Sequence, residues 1–313
     1  MKVFVTGATR VLGQPVVRLL IERGDTVRAL SRSEDGDREL QALGAEPVRA
    51  DLFDLASPRA AVGDADAVLH LATRIPPASA MGDPAAWVEN DRIRVEGTRN
   101  LVDAALATAA EVVVYPSITF IYPDRGDNWT DATTTEPASD AALASTRVAE
   151  AEVARFAAAG GRGVSLRMGN FYGPTSSHTQ EALAYARQGM AGVIGPDDAY
   201  QAMIWVDDAA SAIVAAMERA PSGVYDVVDD EPLTKRELVA AIAAGIGDAP
   251  LQRIPASAVR AAIGPDMFEI MSRGQRVSNQ RFKEVTGWAP SVPNAREGWR
   301  ILGGAMAAVP ARG

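Results

Sequence analysis

Apolar positions in this chain fall into short runs separated by stretches with helical spacing. Lys2 to Thr6 is a short apolar run with β-branched Val3 and Val5, the pattern of a buried parallel strand. Gly7 follows at once, and from about Arg10 the apolar residues Leu12, Val16, Val17, Leu19, Leu20 and Ile21 recur at helical intervals. Further strands are predicted at Thr26–Leu30, Pro47–Ala50, Asp66–Leu71, Glu111–Pro116 and Gly163–Met168. Helices are predicted over Pro84–Ala109 and Asp140–Ala159, the second capped by Ser139 or Asp140 and stopped by Gly160-Gly161. A helix over Asp207–Arg219 and a strand over Val224–Val228 come next, then a helix opened by the capping box of Thr234 and Glu237. This alternation predicts an α/β fold, a Rossmann-type doubly wound parallel sheet. The stretches 170–203 and 248–300 break the alternation and read as a smaller, discontinuous substrate-binding domain. That leaves 1–169 and 204–247 for the sheet domain and 301–313 as a tail.

Composition narrows the function more than the fold. A chain of 313 residues can bury a sizeable core. Its net charge of −9 argues against a nucleic-acid surface and against an anionic membrane surface. Cysteine is absent, which excludes disulfides and thiolate chemistry. No apolar run approaches the roughly 20 residues of a membrane span. The first strand begins at Lys2, so a cytoplasmic protein without a leader is expected. No His, Asp or Glu cluster has metal-ligand spacing, and no metal is expected.

The opening strand, glycine turn and helix form the start of a dinucleotide-binding unit, whose helix N-terminus faces a pyrophosphate. Gly7 and Gly13 fit that fingerprint, but Arg10 and Val11 stand where a middle glycine is usual. Backbone from Gly7 through Thr9, Arg10, Val11 and Leu12 would cradle the phosphates. The second strand ends in Ser31 and Arg32, with no acid until Glu34. An acid there would bind the ribose of NAD, whereas Arg accommodates the 2′-phosphate of NADP. With Arg10 as a second cation, NADPH/NADP is the favoured cofactor, although a lone Arg is as often a solvated loop charge. Asp51 and Leu52 would bound the adenine, and Leu71, Ala72 and Thr73 would run along the ribose. Asn170 and Phe171 would lie near the nicotinamide. His70 sits inside a buried run and reads as a core residue.

Several short motifs recur in a specific order: TGATRVLG at 6–13, ADLFD at 50–54, HLAT at 70–73 and RVEGTRNLVDAA at 94–105. LRMGNFYGP at 166–174, WVDDAASAI at 205–213 and NQRFKEVTGWAP at 279–290 complete the set. Together they resemble the extended short-chain dehydrogenase/reductase superfamily of NAD(P)-dependent epimerases, dehydratases and ketoreductases, over nearly the whole chain. The resemblance implies a catalytic Ser or Thr, a Tyr that donates a proton, and a Lys four residues later. Aligning Glu150 with the family's helix Glu puts the Tyr position at Ala142 and the Lys position at Thr146. A frame shifted by one gives Leu143 and Arg147, which serve no better. The only lysines are Lys2, Lys235 and Lys283, and none follows a Tyr at that spacing. Ser117 remains near the usual hydroxyl position, with Thr119 close by. Arg94 stands where the family usually has a structural Asn.

Three functional readings follow. The first is a catalytically inactive NADP-sensing or partner-binding module. The second keeps hydride transfer from NADPH and takes the proton from a substrate phenol or from water. Its substrate would be a polycyclic aromatic, polyketide-type ketone, as in antibiotic biosynthesis. It is similar to the atypical angucyclinone ketoreductases, one of which serves the simocyclinone pathway, that lack the Tyr and Lys. The third, a nucleotide-sugar epimerase or dehydratase, asks for a resident base that these positions do not offer. The second is preferred. Under it Ser117 is the candidate catalytic hydroxyl, and Ser117, Thr119, Phe171, His178 and Met203 are the candidate substrate-binding residues. Thr146 would bond the nicotinamide ribose, or else is an exposed helix Thr. The small-molecule aromatic ketone is the expected partner, with the chain a monomer or a homodimer.

Overall fold

The β-branched runs line up side by side as a seven-stranded sheet in the computed structural model, which describes residues 1–54 and 56–307. Its strands are β1 (Lys2–Thr6), β2 (Thr26–Leu30), β3 (Glu46–Val48), β4 (Ala67–His70), β5 (Val112–Ile118), β6 (Arg162–Met168) and β7 (Gly223–Val227). They are ordered β7-β6-β5-β4-β1-β2-β3, and every pair is parallel. Chain order reverses between β1 and β4, and the carboxyl ends of the strands there open the crevice in which doubly wound folds bind ligands. Alternation along β1 sorts the core. Val3 and Val5 pack on one face with Val16, Val17, Leu20 and Ile213, and Phe4 packs on the other with Val68, Leu101, Val153 and Phe156. His70 is buried, as its apolar run implies, with Nδ1 2.8 Å from Thr6 Oγ1. Burial pushes its pKa down to about 4, so it stays neutral.

Several boundaries differ from the sequence reading in ways that matter to the site. β3 starts and ends earlier than Pro47–Ala50, which leaves Arg49 just past the strand. β5 continues through Ser117 and Ile118, paired with Arg167 and Met168 of β6, so Ser117 is a strand residue. The long helix predicted over Pro84–Ala109 is interrupted. Pro84–Arg92 passes into a π turn, Ile93–Gly97, before Thr98–Leu106 resumes. The next helix begins at Ala144, after a 3₁₀ turn over Ala141–Leu143. Neither Ser139 nor Asp140 caps it, because the Asp140 carboxylate is held by Arg273.

A second core gathers Tyr172, Leu183, Trp205, Leu238, Ile242, Trp299 and Leu302. The helix Lys235–Gly245, grouped by its sequence with the sheet domain, packs here against Ala295–Ala307. Their backbones touch: a Cβ on Gly303 would lie 2.1 Å from the Gly245 carbonyl oxygen. The predicted tail 301–313 therefore starts inside a helix, and its residues 308–313 lie outside the described residues. Conversely, Phe282 and Trp288 return from the 248–300 stretch to the core under the main sheet. Lys235 is fully buried, and its ammonium donates to the carbonyls of Met271, Ser272 and Arg273. It thereby satisfies the orphan carbonyls at the end of the helix Pro265–Ser272. The outer faces of the helices Thr98–Leu106 and Ala144–Ala158 carry the ion pairs Arg99–Glu152 and Arg155–Asp103. Among the described residues no helix is long and apolar enough to cross a membrane.

Candidate active site

The β1–helix turn is built on contacts that admit no side chain. Gly7 has φ +71°, and a Cβ there would lie 2.5 Å from the Leu71 carbonyl oxygen. A Cβ on Gly13 would lie 2.1 Å from the Gly7 carbonyl oxygen. Arg10, in place of the middle glycine, has no positive φ, and its N–H bonds the Gly7 carbonyl at 3.1 Å. Its side chain is exposed, so the substitution brings no backbone strain. Thr9 accepts a bond from Gln14 through its carbonyl. Leu12, at the N-cap, provides no side-chain cap, and the N–H groups of Val11 and Leu12 have no partner among the described residues. Free N–H groups at a helix N-terminus are what a pyrophosphate requires, and the residues present fit a dinucleotide.

At the end of β2 the geometry promotes a residue the sequence reading missed. Ser31 is buried, donates to the Ser33 carbonyl at 3.1 Å, and accepts from Arg49 Nη1 at 3.2 Å. Arg49 follows Val48, the register partner of Leu30, so the parallel pairing of β2 with β3 brings it opposite Ser31. Arg32 is exposed and reaches Glu89 at 3.5 Å. Asp51 spends its carboxylate on the Phe53 N–H at 2.9 Å, closing its own turn. Leu52 is buried, and its carbonyl takes a bond from Asn100. Leu71 is buried, the Ala72 N–H reaches Thr6 Oγ1 at 3.3 Å, and Thr73 is half-buried.

The opposite end of the cleft is built differently. Ser117 is 2% exposed and its hydroxyl donates to Glu150 at 2.5 Å. Glu150 is also gripped by Arg167, at 3.0 and 2.8 Å. Arg167 lies over the Tyr122 ring, and the Tyr122 hydroxyl donates to Asp226 at 2.7 Å. Asp226 also accepts from the Ala132 N–H at 2.8 Å. Burial pushes its pKa up to about 7, against the pull of these donors. The Ser117 proton is thus committed inward, which corrects its reading as a free donor to a substrate carbonyl. Thr119 is buried too, its carbonyl and hydroxyl both engaged by Gln275.

The helix positions aligned with Tyr and Lys separate. Ala142 is exposed in the 3₁₀ turn before the helix. Thr146 is 0% exposed, and its hydroxyl accepts from Arg94 Nη1 at 2.7 Å. It is therefore not an exposed helix Thr, and its hydroxyl is held by Arg94 instead of standing free for a ribose. Tyr115, one side chain further along the same face of β5, is buried; burial raises its pKa and the nearby Arg94 restrains the rise.

Of the remaining candidates, Asn170 and Met203 are register partners in a short parallel pair, and Phe171 pairs with Ile204. All three are partly exposed or packed at the sheet's carboxyl edge. His178 stands apart, exposed on the helix Ser177–Arg187 with Glu181 3.9 Å away. Arg273 grips Asp140 through two bonds of 2.7 Å beside Ala142, tying the smaller unit to the turn. Gly82, in the loop after β4, comes against the Ala262–Gly264 backbone. No group of metal ligands occurs among the described residues.

Residues 3–228 match the model of the NAD-dependent epimerase/dehydratase family. The chain belongs to that family. It is similar to a 3-diazoavenalumate denitrifying reductase of Streptomyces sp, 32% identical over 95% of this chain and 99% of that protein. A 2-alkyl-3-oxoalkanoate reductase of Stenotrophomonas maltophilia (strain K279a) is 32% identical over 79% of this chain and 76% of its own length. Among solved structures, the human epimerase family protein SDR39U1 (isoform 2), with NADPH, has a TM-score of 0.79 at 22% identity, covering 97% of this chain and 99% of that one. That likeness concerns the fold, and it agrees with the seven-stranded doubly wound sheet.

Proposed function

We propose that this member of the epimerase/dehydratase family is an NADPH-dependent reductase of an aromatic substrate that takes no proton from a side chain. The observation that carries the reading is the pair Ala142 and Thr146, one apolar and the other sealed behind Arg94. The phenols nearby offer no substitute: Tyr115 and Tyr122 are buried, and burial holds both well above their ordinary pKa. Bound NADPH would supply the hydride. Val11 and Leu12 would hold the pyrophosphate through backbone N–H groups, and Ser31, Arg32 and Arg49 would hold the 2′-phosphate. What the protein contributes to the reaction is then chiefly orientation, which accounts for roughly 7–11 kcal/mol in well-aligned cases.

Two substrate classes need no acid from the protein. In a polycyclic aromatic ketone with a peri-hydroxyl, the substrate's own phenol, of pKa near 10 as in Tyr, protonates the forming alkoxide. In an aryl diazonium ion, hydride adds to the terminal nitrogen and gives a neutral diazene. Loss of N2 then leaves the C–H product, with no proton consumed. Similarity along almost its whole length to a denitrifying reductase favours the diazo class. NADPH consumption with three substrates separates them: a free peri-hydroxy ketone, its methyl ether and an aryl diazonium salt. Turnover of the diazonium salt, or of the free phenol but not its ether, is expected. Equal turnover of both ketones would keep the reductase but remove the substrate phenol as proton source, leaving water or a side chain. NADPH binding with no turnover of any would make the chain a nucleotide-sensing module.

A further inference from the structure

A guanidinium with no carboxylate lies directly behind the helix position that lacks its lysine. Arg94 is 5% exposed and comes from the π turn Ile93–Gly97, not from the helix that carries Thr146. Its Nη1 donates to Thr146, and its Nε is buried without an acceptor among the described residues. Among the described residues no Asp or Glu oxygen pairs with it within 4.0 Å. Arginine is almost never buried this thoroughly unpaired, because a desolvated charge is costly unless something answers it.

The surroundings do not answer it. Tyr115, which Arg94 reaches by hydrogen bond, is neutral and brings no counter-charge, His70 is neutral, and Asn90 and Thr98 each have a buried polar atom without a partner among the described residues. Glu150, the carboxylate that also bears on Tyr115, is already shared by Arg167 and Ser117. A cation without a carboxylate partner therefore sits beside the helix position aligned with the family's Lys, and the neighbouring helical residues Asn90 and Thr98 keep unsatisfied buried atoms. A π turn inserts one residue into a helix and re-aims the side chains around it, which is how such turns come to mark functional sites. Here the re-aimed side chain is Arg94.

We infer that Arg94 takes over the positive charge of the missing lysine, as a positioning residue for bound NADPH that acts from the π turn beside Thr146. The inference rests on the cofactor reading given under Proposed function. It treats Arg94 and Thr146 as one exchange: the charge has moved from one helix to its neighbour, and the hydroxyl that remains accepts its hydrogen bond.

The test measures NADPH affinity by energy transfer from protein to nicotinamide fluorescence, with melting temperature recorded for each variant. Arg94→Gln keeps the size and should weaken NADPH binding by about tenfold, the usual effect of losing one charge-assisted bond. Arg94→Lys should retain most of the affinity. The decisive variant moves the charge back: Arg94→Asn should be weak, and adding Thr146→Lys to it should recover affinity to within a few fold of wild type. A purely structural Arg94 would lower the melting temperature without that recovery. Undiminished NADPH binding in Arg94→Gln, or a double variant no better than Arg94→Asn, overturns the inference. If the wild-type chain binds neither NADPH nor NADH, the cofactor reading itself falls, and this inference with it.

Discussion

The two ends of the cleft solve the same problem with opposite materials. At the end proposed for the phosphates the construction is backbone: Gly7 and Gly13 allow close approach, and the N–H groups of Val11 and Leu12 have no partner among the described residues. At the nicotinamide end it is buried side chains, in a connected series from Ser117 through Glu150, Arg167 and Tyr122 to Asp226. Backbone sites tolerate changes at exposed positions, which is why Arg10 can replace a glycine at little cost. Buried charged series do not, since each member depends on its neighbours for compensation. At the helix position aligned with the family's Lys, the hydroxyl of buried Thr146 accepts from Arg94.

The comparison breaks most sharply at Glu150. Glu150→Gln would leave Arg167 buried without its counter-charge, at a cost of about 3–5 kcal/mol in urea unfolding. A loss below about 1 kcal/mol would mean that water compensates Arg167, and that the series is not a closed buried unit. Next comes Asp226, whose carboxyl binds its proton more tightly folded than unfolded, at about 7 against an ordinary 3.8. The native state therefore holds more protons between these values, and stability falls as pH rises from about 4 to about 7. Asp226→Asn should flatten that part of the melting-temperature profile. Asp229, pushed up to about 8 by burial, supplies a remaining slope of the same sign. A variant profile parallel to wild type would remove Asp226 from the account.

The phosphate end gives the smallest effects. Arg49→Ala should lower the preference for NADPH over NADH by about tenfold, as one charge-assisted contact is lost. Arg32→Ala should do less: both arginines are exposed and ion-paired, Arg32 with Glu89 and Arg49 with Asp37, but Arg49 is also bonded to the buried Ser31. The reverse order would return the main role to Arg32, as its position in the sequence implies.

How far the sequence could be read follows the same division. Val3, Phe4, Val5 and Gly7 announce a strand and turn through local periodicity, and the parallel sheet follows from repetition of that pattern. The absence of a Tyr and Lys pair is also visible in one dimension. Arg94 was visible as a departure, but its hydrogen bond to Thr146 spans 52 residues and depends on a π turn that no local pattern marks. Arg49 became significant only once β3 lay beside β2. The committed state of Ser117 depends on β5 running two residues further than its apolar run, up to Ile118, which places the hydroxyl against Glu150.

The burial of Lys235 has a practical side. Lysine is scarce here, only Lys2, Lys235 and Lys283, against 31 Lys and Arg together. Lys2 is exposed and Lys283 partly so, whereas Lys235 is closed under the end of the helix Pro265–Ser272. Among the lysines, amine-reactive reagents will therefore mark the native chain at Lys2 and Lys283. Adduct at the third becomes a clock for how often that helix lets go of the body of the protein.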